Sequence, residues 1–138
     1  MKTRNSCYTR FKIIGSFDPD RISDLLGLSP ERIRRIGDLR RNGTPYELAT
    51  WEIGKCDEYD VKVENQMRKT IAVLQDKIPI LNQIRQSYNA SFFLEIVPSI
   101  YVNDVTPCLA PSMDVIDFCH ATRTGIDIDL YVYNSKED

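Results

Sequence analysis

The sequence contains few long apolar runs, no apolar segment near its start that resembles a signal peptide, and no closely spaced cysteines. No stretch approaches the ~20 apolar residues of a membrane-spanning helix. The first six residues lead into a strand-like run without an apolar segment of signal-peptide length, so we expect a cytoplasmic protein. The closest cysteines, Cys108 and Cys119, are eleven positions apart, which argues against zinc and redox motifs. We therefore expect four free thiols in a reducing compartment.

The usual catalytic motifs are also missing. There is no serine nucleophile elbow, no phosphate-binding Walker loop and no dinucleotide glycine fingerprint. The single histidine, His120, follows Cys119 on a predicted helix, where adjacent side chains point about 100° apart and cannot form a dyad. We expect no cofactor and no bound metal.

What the chain does contain is typical of a globular protein. Its 138 residues are 42% hydrophobic and 28% charged, enough for one folded domain over residues 1–138. The net charge of −2 conceals an asymmetry, because residues 1–41 hold ten basic and five acidic residues, whereas residues 42–138 hold eight and fifteen. This split predicts a surface dipole only if the fold separates the two sets; a mixed solvated surface is the alternative.

The first third of the chain alternates strand and helix patterns. Residues 9–15 alternate with a period of two and predict a strand that ends at Gly15. Asp18-Pro19-Asp20 is typical of a helix N-terminus, and Gly27 is placed to end that helix in a left-handed conformation. Residues 29–37 fit either a helical turn or a strand, and we favour the strand.

The middle of the chain predicts a hairpin followed by helix. Asn42-Gly43 is a strong turn pattern and precedes a strand that contains Trp51. We interpret this single tryptophan as a core residue rather than a ligand platform, because no cation cluster surrounds it. From Asp60 to Tyr88 apolar residues recur at helical spacing, and Pro79 should divide the segment or open its second helix.

The last third predicts strand, helix and strand. Residues 90–101 form a nearly continuous apolar run that suggests a central strand, with Pro98 limiting its pairing. Ser112 is expected to cap a helix closed by Gly125. The apolar positions of that helix should be Val115, Ile116, Cys119 and, as an open alternative, Phe118. In the final segment Ile126, Ile128, Leu130 and Val132 face one way, and Asp127, Asp129, Tyr131 and Tyr133 face the other.

This order of elements predicts an α+β fold. We expect two layers, with a mainly antiparallel sheet and helices on one face. The first six elements match the ferredoxin-like βαββαβ order, and the final helix and strand extend it.

Several ordered landmarks resemble a known family. They are Phe11 to Gly15, Leu26-Gly27-Leu28-Ser29-Pro30, Gly37-Asp38, Thr50-Trp51 and Gly125-Ile126-Asp127-Ile128-Asp129-Leu130-Tyr131. Together they resemble the small bacterial family called domain of unknown function 4279, over almost the whole chain. The resemblance implies a bacterial source and assigns no activity and no catalytic role to any residue.

Asp127 and Asp129 are the best indication of an enzyme. Two positions apart on a strand, they project from the same face about 7 Å apart, with Tyr131 beside them. Paired carboxylates hold hard cations or divide acid and base roles, which suggests a metal-assisted enzyme. The alternative is a solvated sheet face on which these carboxylates meet Arg10 and Lys12.

The densest basic segment lies between residues 32 and 41. Its candidate binding residues are Arg32, Arg34, Arg35, Arg40 and Arg41. Guanidinium groups suit phosphate and carboxylate equally, so both nucleic acid and an acidic protein surface are candidate ligands. The pI near 5.4 and the lack of an RNA-binding aromatic string argue against nucleic acid.

The sequence therefore favours a non-catalytic protein-interaction module, similar in size and class to immunity or inhibitor proteins. The alternatives are a metal-assisted enzyme using Asp127 and Asp129, and nucleic-acid binding through the arginine segment. Homodimerisation through an exposed sheet edge is a further hypothesis.

Overall fold

The fold is α+β, with a mixed sheet of six strands and four helices. This computed structural model describes residues 4–57 and 62–134, and the side chains of residues 55–57 lie outside the description. The strands are β1 (Ser6–Gly15), β2 (Arg32–Arg34), β3 (Ala49–Asp57), β4 (Ser91–Tyr101), β5 (Gly125–Ile128) and β6 (Tyr131–Tyr133). The helices are α1 (Pro19–Leu26), α2 (Val63–Ala72), α3 (Ile78–Ser87) and α4 (Met113–Thr122), with a 3-10 turn at Gln75–Lys77.

The sheet has the order β2-β3-β1-β4-β5, and β6 also pairs with β4. The pairings β1/β3, β1/β4 and β2/β3 are antiparallel, whereas β4/β5 and β4/β6 are parallel. The expectation of a mainly antiparallel sheet thus holds for four strands, and the C-terminal extension makes the sheet mixed. The two ends of this order, β2 and β5–β6, are the edges of the sheet.

The core lies between one face of the sheet and the helices. Odd-numbered residues of β1, such as Phe11 and Ile13, are fully buried, and Phe11 packs against Phe92 of β4 with ring centroids 5.4 Å apart. The even-numbered residues of β1 belong to the opposite face, which no helix covers in the described chain. We call this second surface the uncovered face. Trp51 is fully buried, as predicted, and its indole N–H donates to Ser23 Oγ over 2.9 Å.

Local sequence patterns explain most helix boundaries. The Asp18 side chain accepts a hydrogen bond from Asp20 N at the start of α1, and Gly27 ends that helix at φ 65°. Pro79 lies in the first turn of α3, after the break that follows α2. The predicted helix start at Asp60 lies outside the described residues.

Two predictions for α4 are wrong. Arg123, at φ 56°, and not Gly125, terminates α4 in the left-handed conformation. Ile116 is substantially exposed, and the buried face of α4 is formed instead by Val115, Phe118, Cys119 and Thr122. Ser112 occupies the predicted N-cap position of α4, and its side chain makes no capping hydrogen bond there.

The predicted single last strand is divided into β5 and β6. Both segments keep the same register offset against β4, since Ile96 pairs with Ile128 and Ser99 with Tyr131. Pro98 of β4 lies opposite the gap between β5 and β6, and it has no N–H to donate to the ladder. Pro98 thus limits pairing, as the sequence predicted.

Candidate interaction site

The predicted arginines lie on β2 and on the irregular hairpin that follows it. We call residues 32–48 the basic hairpin. It turns at Gly43, which has φ 86°, and a short antiparallel bridge joins Leu39 to Pro45. The Asn42 side chain accepts hydrogen bonds from Thr44 N and Thr44 Oγ1 over 3.0 and 2.7 Å, so the predicted turn is held by its own residues.

Two of the arginines share one aromatic ring. The guanidinium carbon of Arg34 lies 3.9 Å from the centroid of the Tyr46 ring, and that of Arg40 lies 4.3 Å from it. Arg40 also donates to the Pro45 carbonyl over 2.9 Å. Stacking on an aromatic ring orients a guanidinium while its N–H groups stay available to a ligand. Tyr46 thus orients two cations on the hairpin, although the sequence analysis did not single it out.

Arg35 has a different role. Its guanidinium donates to Asp18 Oδ1 over 3.1 Å and to Asp20 Oδ1 over 3.0 Å, at the start of α1. The hydrogen bond and the charge of Asp20, followed by the Asp18 charge, raise the pKa of Arg35. The Arg35 backbone N–H donates to Asp38 Oδ2 over 2.8 Å. Arg35 therefore fastens the hairpin to the helix, and Asp18 and Asp20 balance its charge.

The other two arginines are exposed. Arg32 lies 3.8 Å from Glu52, a long ion pair on the uncovered face. For the Arg41 side chain no hydrogen bond, ion pair or ring contact is observed within the described chain. The candidate set thus separates into Arg35, which is engaged internally, and Arg32, Arg34, Arg40 and Arg41, which present charge outward.

Sequence reasoning missed the apolar part of this surface. Four large apolar side chains of the basic hairpin are exposed: Ile33, Ile36, Leu39 and Leu48. Leu39 is 70% exposed, and it forms the bridge with Pro45 near the hairpin tip. Arginine, tyrosine and apolar residues together on one exposed segment have the composition of a protein interface. Apolar residues interleaved with arginines could have indicated this from the sequence.

The acidic candidates lie at the opposite edge of the sheet. Asp127 pairs with Glu95 in the register of β4 and β5, so both project from the uncovered face. Tyr131 donates its hydroxyl to Asp129 Oδ2 over 3.0 Å, and this hydrogen bond raises the pKa of Tyr131. The shared face of Asp127, Asp129 and Tyr131 agrees with the predicted alternation.

The cross-strand contacts expected for these aspartates are absent among the described residues. Lys12 Nζ binds Glu95 Oε1 over 2.8 Å instead, and the Arg10 guanidinium carbon lies 5.2 Å from the centroid of the Tyr8 ring. In the described ranges no group of three or more histidine, cysteine or acidic residues could hold a metal ion.

The thiols show no nucleophilic arrangement in the part of the chain described. Cys7 and Cys119 are buried and Cys108 is exposed, whereas the Cys56 side chain lies outside the description. Burial raises the pKa of Cys119 to about 11, which keeps its thiol protonated at neutral pH. His120 is exposed while its neighbour Cys119 is buried, in agreement with the absence of a dyad.

An open groove runs between α4 and β5. It encloses about 640 Å³ and is lined by residues that include Ile116, Cys119, Arg123 and Ile126. Among residues 4–57 and 62–134, no helix is both long and apolar enough to cross a membrane.

Comparisons with known proteins identify a family. A family model described as "Domain of unknown function (DUF4279)" matches residues 5–133. No curated protein and no solved structure matches the chain. The family match covers nearly the whole sequence, in agreement with the resemblance of its landmarks, and the chain belongs to the DUF4279 family.

Proposed function

We propose that this protein is a non-catalytic interaction module, of the immunity or inhibitor type, that docks its basic hairpin on an acidic protein surface. The observation that carries the proposal is the stack of Arg34 and Arg40 on Tyr46 beside the exposed Leu39. Arginine and tyrosine are enriched among residues that dominate binding energy, and exposed apolar side chains supply area to bury. Complementary charge would accelerate association and fix the orientation of the partner.

The two alternatives have less support. For a metal-assisted reaction, Asp127 and Asp129 have no third candidate ligand in the described chain, and Asp129 accepts a hydrogen bond from Tyr131. For nucleic acid, the exposed Ile36 and Leu39 would face a phosphate backbone, which offers them no apolar contact. An acidic protein surface matches both the charge and the apolar residues of the hairpin.

We also propose a ferredoxin-like arrangement for the first part of the chain. The antiparallel order β2-β3-β1-β4, with α1 after β1 and two helices before β4, supports this assignment. The parallel strands β5 and β6 would then be an addition to that arrangement at one edge. An experimental structure of the protein would test the assignment through its strand order and helix positions.

Affinity capture with charge-reversed variants tests the docking surface. The tagged protein is incubated with nuclease-treated lysate of its source organism, and captured proteins are quantified by mass spectrometry. The hairpin variant combines Arg34→Glu, Arg40→Glu and Leu39→Asp, and the matched control combines Arg21→Glu, Arg68→Glu and Ala72→Asp at exposed sites elsewhere. Nuclease treatment removes nucleic acid as a bridge.

We expect an acidic protein that wild type and control retain and the hairpin variant loses by at least about tenfold, since several interface contacts fail together. Isothermal titration with that purified protein should give a binding heat that weakens as salt is raised. Equal capture by the wild type and the hairpin variant would refute the proposed surface. Fluorescence anisotropy with oligonucleotides, and titration of Mg²⁺, Ca²⁺ and Mn²⁺ into wild type and Asp127→Asn, test the two alternatives.

A further inference from the structure

The last strand of the chain forms a long edge of the sheet. Because β5 and β6 keep one register offset, residues 125–133 follow β4 as a single extended segment, from Gly125 opposite Phe93 to Tyr133 opposite Tyr101. We call this segment the terminal edge. One side of it pairs with β4, and the other side is the outer edge of the sheet.

The backbone N–H and C=O groups that point away from β4 belong to the apolar residues of the terminal edge. Asp129 N donates to Ile96 O over 2.9 Å, so the polar groups of the odd-numbered residues point toward β4. Polar groups alternate sides along a strand, which directs the N–H and C=O groups of Ile128, Leu130 and Val132 outward. Within the described chain these outward groups have no backbone partner.

The side chains of the same residues form an exposed apolar stripe. On the side of the sheet that carries the helices, the exposed fractions are 40% for Ile126, 43% for Ile128, 47% for Leu130 and 61% for Val132. Ile116 of α4, itself 40% exposed, lines the groove beside Ile126 and extends the stripe. A contiguous patch of this kind on a soluble domain marks an interaction surface.

The terminal edge lacks the lysine and proline residues and the bulges that commonly protect an edge strand, and its charged residues are Asp127 and Asp129. Natural edge strands avoid association through lysine, proline, bulges or short length. Residues 125–133 contain no lysine, arginine or proline, and their register against β4 has no bulge. The sequence of this edge is therefore suited to pairing with another strand.

We propose that the protein forms a two-fold symmetric dimer in which the terminal edge pairs antiparallel with the terminal edge of a second copy. A second copy satisfies the outward backbone groups and covers each apolar stripe with an identical one. The helix layers of both copies then lie on the same side of one continuous sheet. A shift by one residue would place the two stripes on opposite faces and leave both exposed.

The charges on the uncovered face select the register. Pairing centred on Leu130 sets Ile128 opposite Val132, which joins apolar residues. It also sets Asp129 opposite Tyr131 and Asp127 opposite Tyr133, so that each carboxylate faces a hydroxyl. A centre at Asp129 would instead bring two aspartates directly opposite each other, which is unfavourable. We therefore assign the two-fold axis to Leu130.

Sedimentation equilibrium on the purified chain tests the dimer. We expect a mass that rises with concentration from 15.9 kDa toward twice that value, with a micromolar dissociation constant typical of a small interface. Leu130→Arg places two like charges at the axis and should raise the dissociation constant at least about tenfold. Gln86→Arg, which adds the same charge at an exposed position of α3, should leave it unchanged.

Circular dichroism confirms that both variants are folded before they are compared. A mass of 15.9 kDa at every concentration into the millimolar range would overturn the dimer. An equal effect of the two variants would show that the terminal edge is not the interface. Neither outcome bears on the proposed hairpin function, which concerns the opposite edge and a different partner.

Cysteine cross-linking tests the register. In a Cys108→Ser background, which removes the exposed native thiol, Leu130→Cys should form an intermolecular disulfide under mild oxidation. Directly opposite residues of an antiparallel pair have Cα atoms about 5.5 Å or less apart, within disulfide reach. Asp129→Cys, which would face Tyr131, should not cross-link. Cross-linking of Asp129→Cys but not Leu130→Cys would overturn the assigned axis.

Discussion

The two edges of the sheet differ in length, charge and exposed chemistry. β2 spans only Arg32–Arg34 and continues into the basic hairpin, whose surface consists of arginine, Tyr46 and scattered apolar residues. The terminal edge spans residues 125–133 and combines an apolar stripe with aspartates on the other face. The short edge offers side chains to a partner, and the long edge offers its backbone.

The two edges of the uncovered face also differ in the charged residues that they carry. Arg32 and Arg34 lie at one edge of the uncovered face, and Asp127 and Asp129 at the other. The dipole that the charge asymmetry of the sequence would create stays a prediction. Two copies joined at their acidic edges would present two basic hairpins at the outer ends of one sheet.

The largest expected effect comes from the core that both edges share. Trp51 lies opposite Ile33 of β2 and is fully buried. Trp51→Ala removes this packing and leaves a cavity, so we expect a loss of about 3 to 5 kcal/mol in the free energy of unfolding. Denaturant unfolding followed by circular dichroism measures it.

Ser23→Ala is the matched control for the indole. It removes the oxygen that accepts the indole hydrogen bond and donates to the Pro19 carbonyl, and it should cost about 1 to 3 kcal/mol. An unchanged unfolding midpoint for Trp51→Ala would show that the side chain is not a structural anchor. If both edges of the sheet depend on one core, backbone amide hydrogen exchange in Trp51→Ala should become faster at both edges together.

Much of the fold is predictable because its determinants are local. Asp18, Gly27 and Pro79 act through backbone groups within a few residues, and each marks a helix boundary as its chemistry requires. The end of α4 is different, because Thr124 N donates to Cys119 O over 2.8 Å and Arg123 adopts the left-handed conformation. The prediction that Gly125 ends α4 was therefore wrong, because Arg123 ends it two residues earlier.

The candidate site was less predictable from the sequence, because tertiary contacts give neighbouring arginines different partners. The sequence groups Arg34, Arg35 and Arg40 together, yet Arg35 binds Asp18 and Asp20 while the other two stack on Tyr46. Ile116 fits a helical periodicity but faces a groove that no element fills in the described chain. Which periodic residue is covered depends on what packs against it.

The terminal edge should be the more acid-sensitive of the two. Asp104 Oδ2 accepts from Asn5 N over 2.7 Å, and Asn5 Oδ1 accepts from Tyr101 N over 2.8 Å, which supports the strand end beside Tyr133. The backbone hydrogen bond from Asn5, followed by that from Val105, lowers the pKa of Asp104. Its contribution to stability is therefore present above the ordinary carboxyl value near 4 and is lost as pH falls through the lowered value.

Asp104→Asn tests this difference between the edges. We expect its melting temperature to lie a few degrees below that of the wild type at pH 7, with the gap closing as pH falls below the ordinary carboxyl value near 4 and through the lowered pKa of the wild-type Asp104 carboxyl. Asp38→Asn, which removes the carboxylate that accepts from Arg35 N at the other edge, is the comparison variant. A constant gap across the range would contradict a role for the ionised Asp104 carboxylate.

The smallest expected effect is at the attachment of the basic hairpin. Arg35→Ala removes the bonds to Asp18 and Asp20, an exposed ion pair of modest strength. We expect hydrogen exchange at Gly37 and Tyr46, whose N–H groups bond within the hairpin, to become about two to five times faster, with the terminal edge unchanged. High salt should reduce the difference between variant and wild type, because the lost contacts are screened.

Arg68→Ala, which breaks a surface pair with Glu64 on α2, should not affect the hairpin. Faster exchange at both edges would show that Arg35 supports the whole sheet, and no change would show that the hairpin keeps its shape without this attachment.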